Sequence, residues 1–246
     1  MSVSKILISQ ATPANQAPYD AIRQKYGVTI DFKPFFVIES LSSREFRAQK
    51  LNLSDYTAIV FTARHAIDAF FALCEELRVK VPDTMKYFCT TEAVAVYLQK
   101  HIIFRKRKIF YGTGTPQSVV ALVTAKHKGE KFLITTAEGA HNEAITGLFA
   151  AAGLNYETGA FVKPVSQDLK DIDINSYDLA VVYNPADLKA LQENFPDFKA
   201  DKLKFVTFGK QIVNELESQG LPIAISAPTP EVPSVAKALE VYLSSL

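Results

Sequence analysis

The chain has no tryptophan and only two cysteines and four histidines among its 246 residues. Each shortage removes a class of chemistry. Cys74 and Cys89 do not form a Cys-x-x-Cys pair and lie in apolar surroundings, so they read as buried free thiols rather than a disulfide. His65, His101, His127 and His141 are scattered without the spacing of a metal site, so no metal is expected. There is no Gly-x-Ser-x-Gly elbow, no Gly-Lys-Ser/Thr phosphate loop and no dinucleotide fingerprint. No run approaches the roughly 20 apolar residues that a membrane crossing needs. An excess of charge is missing too. The 27 Lys and Arg offset 26 Asp and Glu, and a net +1 exerts no global pull on nucleic acid or membrane. The one dense basic run, Arg105-Lys106-Arg107-Lys108, lacks groove-reading partners and reads as a solvated strand edge. The opening MSVSKILISQ has no long apolar segment and no cleavage signal, so the expected compartment is the cytoplasm.

What the chain does have is alternation. Short apolar runs rich in Val, Ile and Phe recur between amphipathic stretches: KILISQ (5–10), VTIDFKPFFVI (28–38), YTAIVFT, MKYFCT (85–90), RKIFYG (107–112), KFLITTA (131–137), YETGAFVKPVS, YDLAVVY (177–183), LKFVTFG (203–209) and PIAISAP (222–228). Strands buried between helices have this composition. Strand–helix alternation indicates an α/β fold with parallel sheets. The strands are too many for one small sheet and fit two domains. Gly27, Gly153 and Gly220 each follow an amphipathic run and read as helix stops.

The chain also echoes itself. YTAIVFTARHAIDAFF resembles YDLAVVYNPADLKALQ, and KYFCTTEAVAVYLQK resembles KFVTFGKQIVNELES. KFLITTAEGAHNEAITGLFAAAGLNY resembles SKILISQATPANQAPYDAIRQKYGVTI. The halves are duplicated but circularly offset, which predicts two domains of one topology. The N-terminal strand and helix would then pack beside the C-terminal half, giving a discontinuous domain of 1–36 plus 167–246 and an inserted domain of 37–166. Two crossings would join them near 35–39 and 162–167, their approaches stiffened by Pro34 and Pro164.

In such folds the loops after parallel strands lead into helix N-termini, whose unpaired N–H groups bind anions. The candidate loops are 9–16, 62–65, 90–92, 112–117, 135–142, 183–187 and 208–211. The sharpest is Gly112-Thr113-Gly114-Thr115-Pro116, with glycines for a tight turn and threonine hydroxyls. An anion loop and a plain turn with a threonine cap both remain open for it. Thr62 and Arg64 can cap and charge one helix start, where His65 is expected neutral. Glu138, His141 and Glu143 crowd another helix start, an ordinary source of helix stabilisation. Tyr183 ends a strand just before Asn184-Pro185. No Ser/His/Asp arrangement stands out, and no catalytic acid or base is assigned.

These segments, in this order, resemble the uroporphyrinogen-III synthase family across essentially the whole chain. The opening 35 residues or so resemble that family's first strand, helix and linker. Residues around NYETGAFVKPVSQDL resemble its return crossover, and the C-terminal stretch with Ala227-Pro228-Thr229-Pro230 resembles its last strand and helix. IFRKRKIFYG and Gln10 are similar to the branch found in Bacteroidetes-type bacteria. The resemblance implies two similar three-layer α/β domains, joined by two crossover strands with a cleft between them. It implies closure of hydroxymethylbilane, a linear tetrapyrrole with many carboxylates, to uroporphyrinogen III, with inversion of the last ring and loss of water. It implies no cofactor, no metal, a monomer, and a small polycarboxylate substrate as the sole partner. Substrate-binding positions so implied are Gln10, Thr62, Arg64, Thr91, Gly112, Thr113, Gly114, Thr115, Thr136, Tyr183, Asn184, Lys210 and Gln211. The chain departs from the family pattern at Ala63, Val94, Val162, Asn184 and Ile212, where hydroxyl-bearing residues are usual. A catalytically silent relative that binds a tetrapyrrole or another polyanion, or serves as a partner subunit, is therefore the alternative reading. A two-lobed receptor of the periplasmic type is more distant, because no leader is recognised.

Overall fold

A computed structural model describes residues 3–140, 142–200 and 202–246; His141 lies outside the described residues. The elements run β1 (Lys5–Ile8), α1 (Ala17–Tyr26), β2 (Thr29–Phe32), β3 (Phe36–Ser40), α2 (Ser43–Ala48), β4 (Ala58–Phe61), α3 (Arg64–Glu76), β5 (Lys86–Cys89) and α4 (Glu92–Tyr97). They continue as β6 (Ile109–Tyr111), α5 (Pro116–Lys126), β7 (Phe132–Ala137), α6 (Glu143–Ala151), β8 (Tyr156–Ser166) and β9 (Leu179–Val182). The chain ends with α7 (Pro185–Asn194), β10 (Lys204–Phe208), α8 (Lys210–Ser218), β11 (Ile223–Ala227) and α9 (Val235–Ser244).

Two compact units result. One holds the chain up to Val37 together with Val165–Leu246, and the other holds Ile38–Pro164. The first carries a five-stranded sheet, β11-β10-β9-β1-β2, and the second a six-stranded sheet, β3-β8-β7-β4-β5-β6. The pairs from β2 to β11 in the first sheet, and from β8 to β6 in the second, are all parallel.

Both sheets are covered on each face, so successive strand residues feed alternate cores. Leu7, Ala180, Val182 and Phe205 pack with Leu188 and Leu191 of α7 and Ile212 and Leu216 of α8. Their neighbours Ile6, Ile8, Val181 and Val206 pack on the opposite face with Ile22 of α1 and Leu239 of α9. In the second unit Ile59, Phe61 and Leu133 meet Ile67 and Phe70 of α3, while Val60, Phe88 and Phe132 meet Val123 of α5 and Phe149 of α6. Cys74 and Cys89 are free and buried, and burial pushes both thiols up to about 12.

The sequence echo has a structural counterpart. With β9 matched to β4, β10 to β5, β11 to β6, β1 to β7 and β2 to β8, the two sheets have the same strand order. Register agrees as well. Leu179 stands between Ile6 and Lys204 as Ala58 stands between Phe132 and Lys86.

Two expectations need correction. The run 28–38 is not one strand: Pro34, which has no N–H to donate, falls in a break, and β2 and β3 belong to different sheets. The basic run 105–108 is not in a strand. It forms a turn closed by the Lys108 N–H on the Arg105 carbonyl at 2.8 Å, and β6 begins after it.

Candidate functional site

Parallel strands deliver every following loop to the same edge of a sheet, and the expected site residues are distributed over those two edges. In the second unit they follow β4 (Thr62, Arg64), β5 (Thr91) and β6 (Gly112, Thr113, Gly114, Thr115), and Thr136 lies in β7. In the first unit they follow β1 (Gln10), β9 (Tyr183, Asn184) and β10 (Lys210, Gln211).

The edges differ in which N–H groups they leave available. α3 starts at Ala63 with no side-chain cap and no acidic residue in its first turn. Thr62 is tied down from below: its N–H donates to Thr135 Oγ1 at 3.4 Å and its hydroxyl donates to the Thr135 carbonyl at 3.2 Å. Arg64 is exposed, and its guanidinium lies 5.5 Å from the Tyr97 ring centroid. The Tyr97 hydroxyl donates in turn to Asp68 at 2.6 Å, and His101 meets the same carboxylate at 2.7 Å. α8 is equally open. Gly209 precedes it at φ +141°, in the region that favours glycine; no side chain caps it, and no acidic residue sits in its first turn. An added Cβ at Gly209 would stand 3.1 Å from the Tyr183 carbonyl oxygen. Lys210 and Gln211 are exposed there. Such helix starts attract anions through free N–H groups and the helix dipole.

The Gly-Thr-Gly-Thr loop is different. Three of its N–H groups are occupied within the protein: Gly112 donates to the Cys89 carbonyl, Thr113 to Ser118 Oγ and Gly114 to the Thr90 carbonyl, each at 2.9 Å. Thr115 caps α5 by accepting the Ser118 N–H. Gly112 is required because a Cβ would meet Ser118 Oγ at 2.3 Å. Of the two readings open for this loop, the tight capped turn describes its backbone. Thr113, Gly114 and Thr115 are themselves exposed. Thr91 is likewise engaged as the cap of α4, accepting the Val94 N–H at 3.3 Å. Gln10 is exposed and Thr136 is buried.

The five positions without the expected hydroxyl differ in environment, and Ala63 is exposed. Val94, Val162 and Ile212 are buried among apolar side chains. Asn184 caps α7, its Oδ1 accepting the Ala186 N–H at 2.8 Å.

Three polar groups are not singled out by the sequence, although Asp187 and Ser9 fall in the candidate loops 183–187 and 9–16. Asp187, on the first turn of α7, accepts the Tyr183 N–H at 2.8 Å and the Asn184 N–H at 3.2 Å. Burial pushes its carboxyl up to about 6, while those N–H groups and the nearby Ser9 hydroxyl pull it down. Ser9 and Thr207 are buried at the ends of β1 and β10. The pattern Asn184-Pro185-Ala186-Asp187 is a capping box, and this signal identifies Asp187 as an N–H acceptor. Among the described residues no group of His, Cys, Asp and Glu is arranged to hold a metal, and no helix is long and apolar enough to cross a membrane.

The family model described as Uroporphyrinogen-III synthase HemD matches residues 19–237. No curated protein matches the chain. Among solved structures, uroporphyrinogen-III synthetase from Helicobacter pylori is 15% identical with a TM-score of 0.56, covering 99% of this chain and 100% of its own. A mutant uroporphyrinogen III synthase from the extremely thermophilic bacterium Thermus thermophilus is 14% identical with a TM-score of 0.53, over 99% of this chain and 100% of its own. At these identities the likeness is one of fold.

Proposed function

This chain belongs to the uroporphyrinogen-III synthase HemD family, and we propose that it performs that family's named reaction, closing hydroxymethylbilane to uroporphyrinogen III. The observation that carries this reading is the pair of open helix starts, α3 and α8, one in each unit. Each lacks a side-chain cap and a first-turn acid, and each has an exposed cation, Arg64 or Lys210. A flexible substrate with many carboxylates needs several such donors. In this proposal the strand-end edge of each unit supplies donors to the substrate. Arg64, Lys210, Gln211 and the hydroxyls of Thr113 and Thr115 contact carboxylates, with Gln10 and Asn184 as further donors. Catalysis is then largely positioning. The terminal carbon–oxygen bond breaks and a carbon–carbon bond forms to the last pyrrole. The bond from that pyrrole to its bridge carbon breaks and is remade at its other α-carbon, which loses a proton, so that the hydroxyl and this proton leave as water.

The test is product analysis. Hydroxymethylbilane is generated in the presence of the purified protein, and the isomers are separated. Enrichment of isomer III over a protein-free control is expected; a composition equal to the control rejects the synthase reading. The residues Ala63, Val94, Val162 and Ile212, which carry no hydroxyl, favour a second reading, a silent family member that binds a tetrapyrrole. Calorimetry with a stable carboxylated porphyrin separates the two, since binding without turnover selects the second.

A further inference from the structure

The duplication supplies an internal control for Asp187. In the second unit the N–H that follows β4, on Thr62, is met by the hydroxyl of Thr135 on the neighbouring strand, which also donates to the Val60 carbonyl at 2.9 Å. In the first unit the equivalent hydroxyl is Ser9 and the equivalent N–H is that of Tyr183. Here Asp187 takes the N–H, and Ser9 Oγ has no well-aligned partner among the described residues. The residue equivalent to Asp187 in the second unit is Ala66, and the residue equivalent to Thr207 is Cys89. The turn therefore forms without a carboxylate. Asp187 is 1% exposed, and its Oδ1, the Ser9 hydroxyl and the Thr207 hydroxyl are all buried without a well-aligned hydrogen bond among the described residues, although the Ser9 hydroxyl lies close enough to the carboxylate to favour its charge. Burying a carboxylate in this way opposes folding, so the fold alone does not account for it.

The consequence lies at the surface of the edge. Asp187 occupies the Tyr183 and Asn184 N–H groups, Pro185 has none, and Asn184 Oδ1 occupies that of Ala186. The start of α7 offers no backbone donor comparable to those of α3. The half-exposed Asn184 amide keeps its Nδ2 hydrogens without a protein acceptor among the described residues. We propose that Asp187 is a positioning residue for substrate binding: its carboxylate pins the Tyr183–Asn184 backbone, so that this strand end presents the Asn184 side-chain amide to an acceptor oxygen of the substrate in place of free backbone N–H groups. This rests on the tetrapyrrole reading above.

The experiment has two independent parts. Amide exchange at Tyr183 and Asn184 is followed by NMR in the full chain. Asp187→Ala is expected to speed exchange at both by about tenfold or more, and Asp187→Asn, whose amide oxygen can take the same N–H groups, to restore protection. Unchanged exchange in Asp187→Ala overturns the proposal. Substrate affinity is then measured as KM for isomer III formation, or by calorimetry with a carboxylated porphyrin. Asp187→Ala is expected to weaken it about tenfold with kcat within about twofold, and to have no further effect in an Asn184→Ala background. Equal loss in both backgrounds overturns the positioning role. Should Asp187→Ala not fold, Asn184→Ala alone decides: unchanged affinity overturns the proposal. A wild-type protein with neither turnover nor porphyrin binding rejects the proposed function instead, and the exchange result then judges the backbone clamp by itself.

Discussion

The Tyr56 hydroxyl donates a 2.6 Å hydrogen bond to Glu157, with the Lys131 ammonium 3.3 Å from the same carboxylate and 4.8 Å from the tyrosine ring centroid. The other unit repeats the arrangement: Tyr177 donates to Asp31 at 2.8 Å, and Lys5 stands 3.8 Å from that carboxylate and 4.3 Å from the ring. Strand register explains the match, because Glu157 faces Leu133 as Asp31 faces Leu7. These clusters lie near the starts of their strands, away from the candidate site. Burial, then the carboxylate, raises both phenols. Tyr56→Phe and Tyr177→Phe should each cost about 1 kcal/mol in urea unfolding, since the exposed carboxylates left behind can be hydrated. Binding should be unaffected. A loss of affinity without a loss of stability would contradict a structural role.

Asp187 gives stability a pH signature. Its folded carboxyl titrates at about 6 against an ordinary 3.8. A raised folded value means that the native protein holds the proton more tightly. The contribution to stability is full below the ordinary value and is lost as pH rises through about 6. Roughly two pK units correspond to about 3 kcal/mol. The stability of Asp187→Asn relative to wild type should therefore rise between pH 4 and 7. A flat difference across that window would show that the carboxyl is not raised.

Asp178 works in the opposite direction. Burial opposes its charge, but Lys202 at 2.7 Å, the Ser4 N–H and hydroxyl at 2.8 Å and the Lys5 N–H at 3.0 Å outweigh it, and the carboxyl is held well below its usual range. Its contribution is present above the ordinary value and is lost as pH falls through the lower folded one. Asp178→Ala should cost about 3 kcal/mol at pH 7 and much less in strong acid. Denaturant melts of both proteins across pH check this, and an equal gap at both extremes would refute it.

Much of the fold is legible in the sequence because apolar strands and amphipathic helices alternate so regularly. The echo between YTAIVFT and YDLAVVY says that the two sheets share one strand order, though not which order it is. The break at Pro34 is less legible, because an apolar run does not say which sheet each half joins. The candidate site is read less completely. Glycines and threonines at 112–115 advertise donors, but Ser118, later in the chain, occupies one of them. Asp187 falls in the candidate loop 183–187, while its burial depends on β1 and β10, which are remote in sequence. Ser9 and Thr207 gain meaning only when those strands are side by side.

The open helix starts make the sharpest prediction about binding, because they set stability and affinity against each other. Gln211 and His65 sit in the first turns of α8 and α3, where no acidic residue is present. A carboxylate placed there favours the helix dipole, so Gln211→Glu and His65→Glu should leave stability unchanged or raise it by about 0.3–1 kcal/mol. The same charge should repel a polycarboxylate substrate and raise its apparent Kd. Arg64→Ala should also weaken binding, and more than Thr113→Ala does, because a charge-assisted contact is roughly twice as strong as a neutral one. Added salt should narrow all of these differences. General damage to the protein cannot raise the melting temperature while lowering affinity. Melting curves and calorimetry of the variants at low and high salt check the prediction. Full affinity in both Glu variants would remove the two helix starts from the binding site.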